Sequence, residues 1–442
     1  MTPGNAAAAA AVTPLKAPAV RPCPPPSPLG MAPSIGFGDR LGLGTPGHVA
    51  ALREAGGPIR GVFAQQSIRE ITRTGRSPET ILQAAVGALT KLDFRDPWSA
   101  DGDHLKTEQD VKRLMAAGFV LYTLDPSEFV DQHADDYDAA SLNERFAAAR
   151  ESTPWIEEYR GRTVQLDSGV IEFDERTLAR AAVKYGKALR RAIELSRAVE
   201  EEAARLGQPF EIELSVDETA HPTTPAEHYI IAEQFRKADI RLASLAPRFI
   251  GDFEKGVDYK GDLAALEASM RIHAEIAERM GPYKLSLHSG SDKMSMYPVL
   301  ARVTRGRFHV KTAGTSYLEA LRVAAQHDAP LFREIIDYSR TRYDEDKASY
   351  HVTATVSDTP SPEEVADPII LERIYLDRWE DTPAGRGFTE PGRQILHCTF
   401  GSVFTNPRLG PRLVQLLAAR PLEHCEILRQ HFVKHLQPLN AG

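Results

Sequence analysis

The sequence predicts an α/β fold, a (β/α)8 TIM-type barrel with insertions, and three observations lead there. Short apolar runs alternate with amphipathic helical segments from Ser34 to the C-terminus. Several of these runs are apolar on both parities, the pattern of strands buried on both faces. About eight strand–helix units in some 400 residues fit a closed barrel better than the alternative, a doubly wound sheet.

The elements follow in order. Residues 1–33 hold nine of the 31 prolines, the run Ala6 to Ala11, and only Lys16 and Arg21 as charges. Such a Pro/Ala-rich tail cannot bury enough apolar surface to offset its ordering entropy and is expected to be disordered. Residues 34–442 are then a single catalytic barrel domain with peripheral insertions. Expected strands are Ile59–Ala64, Phe119–Leu124, Phe210–Val216, Ile240–Leu245, Lys284–His288, Phe308–Lys311, Tyr350–Thr355 and Ile395–Phe400. Expected helices are Ser77–Leu92, Glu108–Ala116, Leu178–Arg205, Pro225–Lys237, Leu263–Arg279 and Tyr317–His327. Thr224 before Pro225, with Glu227 three residues on, is a helix-start signal.

Composition narrows the function classes. The 442 residues carry 53 basic and 61 acidic side chains, a formal charge of -8. This balance argues against a nucleic-acid or anionic-membrane partner, either of which calls for a basic face. No apolar run reaches the roughly 18 residues of a membrane span. Cys23, Cys398 and Cys425 show no disulfide or C-x-x-C spacing, so the compartment expected is the reducing cytoplasm. A small-molecule partner remains, and a homo-oligomer is compatible with the sequence.

In a barrel the chemistry sits where strands end and the following loops begin. The segment Asp101–Thr107, read as a loop, supplies Asp103, His104 and Lys106. Further clusters follow the strands: Asp217 and Glu218; Arg248, Glu254, Lys255 and Asp258; His288 and Lys293; and Lys311. Asp217 and Glu218 would also suit a helix start, but capping needs only Thr224. His309, His351 and His397 sit in apolar runs and read as packed or supporting residues. His133, His273, His327, His424, His431 and His435 read as surface helix positions. No phosphate-binding G-x-x-x-x-G-K-[ST] or G-x-S-x-G elbow occurs, and Gly42-Leu-Gly-Thr-Pro-Gly47 lacks the preceding strand of a dinucleotide site. Histidines, carboxylates, lysines and an arginine remain. That set suits a divalent metal (Zn, Mn, Ni or Fe) with an anionic, polyhydroxylated substrate, although the spacing is no strong metal signature.

Nine segments in order then carry a resemblance: Gly38–His48, Phe63–Glu70, Asp103–Thr107, Ser215–Thr219, Leu245–Phe249, Phe253–Tyr259, Lys284–Lys293, Lys311–Ser316 and His397–Ser402. Together they resemble the tagaturonate/fructuronate epimerase family of bacterial hexuronate catabolism, from about Ser34 to the C-terminus. One departure is Gly102, where the family pattern has alanine. The resemblance implies a cytoplasmic, metal-dependent epimerase that inverts one hydroxyl-bearing carbon of a keto-hexuronate, with the ketohexoses tagatose and fructose as further substrates. That carbon lies β to the ketone, so its hydrogen is not acidic. A retro-aldol step followed by aldol reclosure is the expected route, with a cation to stabilise the enediolate and a base and an acid for the hydroxyl proton. The metal ligands expected are His104 and His288 with Glu254 third, Asp258 and His351 standing as substitutes. Asp103 is the expected base, and Glu218 or Asp217 the acid. Since the latter two are adjacent on a strand, only one should enter the barrel mouth. Lys106, Arg248, Lys255, Lys293 and Lys311 are candidates for holding the substrate carboxylate and hydroxyls. The rival readings are a metal-dependent aldolase, isomerase or dehydratase of a sugar acid, and a non-catalytic sugar-acid-binding protein.

Overall fold

The computed structural model describes residues 21–442. Its first four strands are β1 (Ser34–Gly38), β2 (Arg60–Ser67), β3 (Asp101–Leu105) and β4 (Leu121–Leu124). An outlying antiparallel hairpin of β5 (Thr163–Gln165) and β6 (Val170–Glu172) comes next. Then follow β7 (Glu211–Val216), β8 (Ser244–Pro247), β9 (Lys284–Leu287) and β10 (Phe308–Thr312). All but the hairpin pair in parallel with their sequence neighbours, and β10 returns to β1 to close an eight-stranded barrel. The (β/α)8 fold class is therefore the one observed.

The expected helices form within a few residues of their predicted limits, because their starts are chemically fixed. Thr224 Oγ1 accepts from Glu227 N at 3.3 Å while the Glu227 carboxylate accepts from Thr224 N at 2.8 Å, a reciprocal cap opening the helix Pro225–Lys237. Thr107 and Asp110 do the same for Glu108–Ala117. Five departures concern strands. The strand expected at Ile240–Leu245 lies at Ser244–Pro247, and Ser34–Gly38 and Asp101–Leu105 are strands without an apolar run to announce them. Tyr350–Thr355 has no strand pairing, and Ile395–Phe400 falls largely in the helix Pro391–Cys398. An apolar run of six does not distinguish strand from buried helix, and Pro391 at the helix start decides it.

The N-terminal expectation also needs correction. Cys23 is buried, Trp98 Nε1 donates to Pro24 O at 2.8 Å, and Leu29 N and Gly30 N donate to the Glu211 carboxylate at 3.0 and 2.6 Å. Residues 21–33 are thus tied to the strand-start end of the barrel; the earlier part of the expected tail lies outside the described residues. Prolines lack the donor that would need a partner, so their carbonyls and a few amides suffice to fix the segment.

Across the barrel axis the interior is polar rather than a stack of apolar layers. Lys284 Nζ on β9 donates to Ser34 Oγ on β1 at 3.0 Å, and that hydroxyl meets His309 Nδ1 at 2.9 Å. Apolar packing lies between the strands and the surrounding helices. After β10 the helices build a second apolar cluster that includes Tyr317, Leu321, Phe332, Leu396 and Phe400. The last helix, Pro421–Asn440, returns to the barrel, and Phe432 meets Phe37 edge-on at 4.9 Å. His273, His424, His431 and His435 are buried rather than on the surface. Cys23, Cys398 and Cys425 are unpaired thiols. No helix among the described residues is long and apolar enough to cross a membrane.

Removing the Glu211 carboxylate leaves two backbone amides without their charged acceptor, a loss of about 1–3 kcal/mol. Glu211→Ala should therefore keep the barrel folded but release residues 21–33, read as faster hydrogen–deuterium exchange of the Leu29 and Gly30 amides.

Candidate active site

At the strand-end face opens a cavity of about 380 Å³. Its floor is set by one lysine. Lys311 Nζ, from β10, lies 2.8 Å from Asp101 and 2.7 Å from Asp103 on β3, 2.7 Å from Glu213 on β7 and 2.6 Å from the Thr123 hydroxyl on β4. All four charged groups are buried. Burial alone would discharge the lysine, but three carboxylates hold it well above the ordinary lysine value. Burial and the two neighbouring carboxylates raise Asp101. Asp103 and Glu213, also pushed upward by burial, are carried below the carboxylate range by Lys311 and the nearby histidines.

Two histidines stand above this floor. His104 occupies an irregularity in the β3–β4 pairing with a left-handed φ of 56°, an unusual conformation that aims its ring at the cavity. Its Nδ1 lies 3.2 Å from Asp125 and its Nε2 faces Asp103 at 3.7 Å. His288, just past β9, places Nε2 2.7 Å from Glu213 and Nδ1 3.2 Å from Asp217. Against burial, Asp103 and Asp125 raise His104 to about 10, and Asp217 and Glu213 raise His288 to about 9. The arrangement is short of positive charge. Each ring has one nitrogen turned to a buried carboxylate, Asp125 or Glu213, and the other turned to a cavity-lining carboxylate. One ligand atom each from Asp103, His104 and His288 lies within 4.8 Å of the others. Imidazole and carboxylate donors held this way fit a divalent cation.

Several expected residues meet here. Asp103, His104, Asp217, Glu218, Arg248, Lys255, His288 and Lys311 all line the cavity. Asp217 and Glu218 both do so because they follow the end of β7, where strand alternation no longer applies. Ser215 Oγ donates to Asp217 at 2.6 Å, and Arg69 holds Glu218 at 3.0 Å. The Lys311 ammonium is committed to the floor rather than to a ligand.

Three expectations are corrected. Glu254 does not converge with the two histidines: its carboxylate is taken by Lys260, Thr353 and Gln394. Lys293 is buried and donates to the backbone carbonyls of Glu254, Val257 and Ser291, which makes it a brace for the loop after β9. Lys106 turns outward to Glu128 at 3.1 Å and is absent from the lining. Of the substitutes, Asp258 holds Ser295 and the Gly387 amide, while His351 lies exposed at the mouth beside Asp252. Residue-level reasoning missed Arg40, Gln65, Arg69, Tyr350 and His397, which also line the cavity. All but Tyr350 lie in the nine segments, but their neighbours read as structural. The Gly42–Gly47 turn is filled from within: Asp39 accepts from the amides of Gly42, Leu43 and Gly44. Gly314 is required by close approach, since a Cβ there would fall on the His397 ring.

Replacing Lys311 by methionine strands three buried carboxylates, and breaking a buried pair costs about 3–5 kcal/mol. Lys311→Met should lower the melting temperature markedly at pH 7. Acidification, by protonating the stranded carboxylates, should narrow the gap to the wild type, a trend that differential scanning calorimetry measures.

A model of the tagaturonate epimerase family matches residues 19–439. The tagaturonate/fructuronate epimerase of Thermotoga maritima is 38% identical over 415 residues, spanning 93% of this chain and 82% of that protein. The native and glycerol-bound crystal structures of fructuronate-tagaturonate epimerase UxaE from Cohnella laeviribosi share the fold with a TM-score of 0.86 at 35% identity, covering 94% of this chain and 83% of theirs. With a family match over nearly the whole chain and a barrel shared at this level, the protein belongs to the tagaturonate epimerase family.

Proposed function

We propose that the protein is a cytoplasmic, metal-dependent epimerase that interconverts D-tagaturonate and D-fructuronate at C4 by retro-aldol cleavage and aldol reclosure. The observation that carries this reading is the pair of histidines, each with one nitrogen on a buried carboxylate and the other on a carboxylate lining the same cavity. His104 and His288 would hold the cation beside the Asp103 carboxylate, which converges with them where Glu254 does not. When bound, a divalent cation would supply the Lewis acidity that stabilises an enediolate.

The remaining work belongs to side chains of this chain. The C4 hydrogen lies β to the ketone and is too weakly acidic to remove, so the proton taken is that of the C4 hydroxyl. Asp103, kept ionised by Lys311, accepts it. The electron pair left on oxygen forms the C4 carbonyl, and the C3–C4 pair moves into the C2–C3 enediolate. The three-carbon aldehyde turns within the cavity and presents its other face. On reclosure Glu218 returns a proton to the C4 oxygen. Between turnovers Glu218, part-exposed at the mouth, regains a proton from water, and Asp103, which lines the cavity, gives its proton to water that enters as product leaves, so the proton count closes. The cavity walls keep the two fragments together, which separates an epimerase from an aldolase.

Two measurements test this reading. Tagaturonate incubated with protein and a divalent cation should give fructuronate with all six carbons conserved by NMR; accumulation of three-carbon fragments would instead indicate an aldolase. His288→Ala should lose both bound metal by elemental analysis and ~100-fold or more of kcat, as expected when a metal ligand is removed. Full metal stoichiometry in that variant would refute the ligand assignment.

A further inference from the structure

The cavity lining also contains a locus of the opposite charge. Arg40 follows β1, Lys255 lies in the segment after β8, and His397 comes from the helix Pro391–Cys398. Arg40 is 3% exposed. Its Nε donates to Glu70 at 2.6 Å and its guanidinium lies 3.6 Å from the centre of the Phe400 ring. Nη1 of the same side chain is buried with no hydrogen-bond partner. His397 Nδ1, on a side chain 2% exposed, is likewise buried and unpartnered. Lys255 Nζ donates to the neutral Ser289 hydroxyl at 2.5 Å, and no carboxylate among the described residues lies within ion-pair distance.

Buried polar atoms without partners, here Arg40 Nη1 and His397 Nδ1, are rare in folded proteins and call for an explanation. Arg40, Lys255 and His397 also oppose one another. Burial, then the Arg40 and Lys255 charges, keeps His397 neutral. Burial lowers Lys255, with Arg69 and Arg40 adding to the effect against Asp217 and Glu218. An anion placed among them would supply the missing acceptors and relieve the repulsion. A carboxylate suits the donor set, since its two oxygens can meet a guanidinium N–H, an ammonium and an imidazole N–H together.

We propose that Arg40, Lys255 and His397 form the subsite for the substrate carboxylate, the group that distinguishes a keto-hexuronate from the matching neutral ketohexose. The proposal rests on the epimerase reading for the identity of the ligand, but the site itself is defined by its donors. Arg248 is the competing anchor. It too has no ion-pair partner among the described residues, but it is only half-buried and water can serve the rest of its guanidinium. The subsite gives Arg40 and His397 a role that the proton-transfer scheme does not use. It also explains why a chain of net charge -8 can take an anionic sugar.

The test is equilibrium binding, so it does not require turnover. Tagaturonate and tagatose, which differ in the carboxylate, are titrated calorimetrically into the full-length holoenzyme and its variants. Wild type should prefer tagaturonate. Lys255→Met should reduce the ratio of the two affinities by ~10–100-fold, the range for losing one charged hydrogen bond. His397→Gln should lower the ratio less, and Lys255→Arg should retain most of it. Thermal melts of each variant verify folding, and retention by the arginine variant separates a charge effect from a packing effect. A wild type without preference would overturn the proposal. So would an unchanged ratio in Lys255→Met, or a collapse seen in Arg248→Met instead. If wild type binds tagaturonate and converts none of it, the epimerase reading fails while the affinity ratios still decide the subsite.

Discussion

A single buried ammonium group organises this barrel. Lys311 sits within 2.8 Å of Asp101, Asp103 and Glu213, so one ammonium answers three carboxyl groups in a space from which water is largely excluded. Because the carboxylates come from β3 and β7 and the lysine from β10, the network spans the barrel rather than joining neighbours. It replaces the apolar layers that usually fill such an interior and makes the floor of the cavity anionic. Two consequences follow. Asp103 is fixed as a carboxylate facing the cavity, and the site above requires more positive charge than the lysine provides. His104 and His288 stand where that charge is wanted.

The proposed chemistry follows from the same constraint. Inverting a carbon β to a ketone without touching its hydrogen requires breaking a carbon–carbon bond, which calls for a base, a stabilised enediolate and confinement. The floor supplies the base through Asp103. The histidines, each braced from behind by Asp125 or Glu213, supply rigid donors. Glu218, held by Arg69 at the mouth, is the carboxylate with access to solvent. The cationic locus of Arg40 and Lys255 lies in the same lining, so one cavity presents groups of both charges.

Much of this was legible in the sequence, and the gaps have physical causes. Strand–helix alternation identified the barrel, and the polar clusters after strands identified His288, Asp217 and Glu218. β3 was read as a loop because Asp101-Gly-Asp-His has no apolar pattern. It is a strand because its charges point inward to Lys311, a partner 208 residues away from Asp103. The same blindness to distant partners misassigned Glu254 and Lys293. Each has the right chemistry for a site, but Gln394 and Lys260 claim the first and three backbone carbonyls claim the second. Arg40 and His397 are hidden from a sequence reading for the opposite reason: only the packed structure shows that Arg40 Nη1 and His397 Nδ1 are buried without partners.

The central claim is that the anionic floor and its two histidines hold one divalent cation on which turnover depends. Titrating chelator-treated protein with Mn²⁺, and following bound ion by electron paramagnetic resonance alongside conversion of tagaturonate, tests it most directly. One saturable site per chain is expected, with activity rising in proportion to its occupancy. Undiminished epimerisation by protein shown to be free of metal would contradict it.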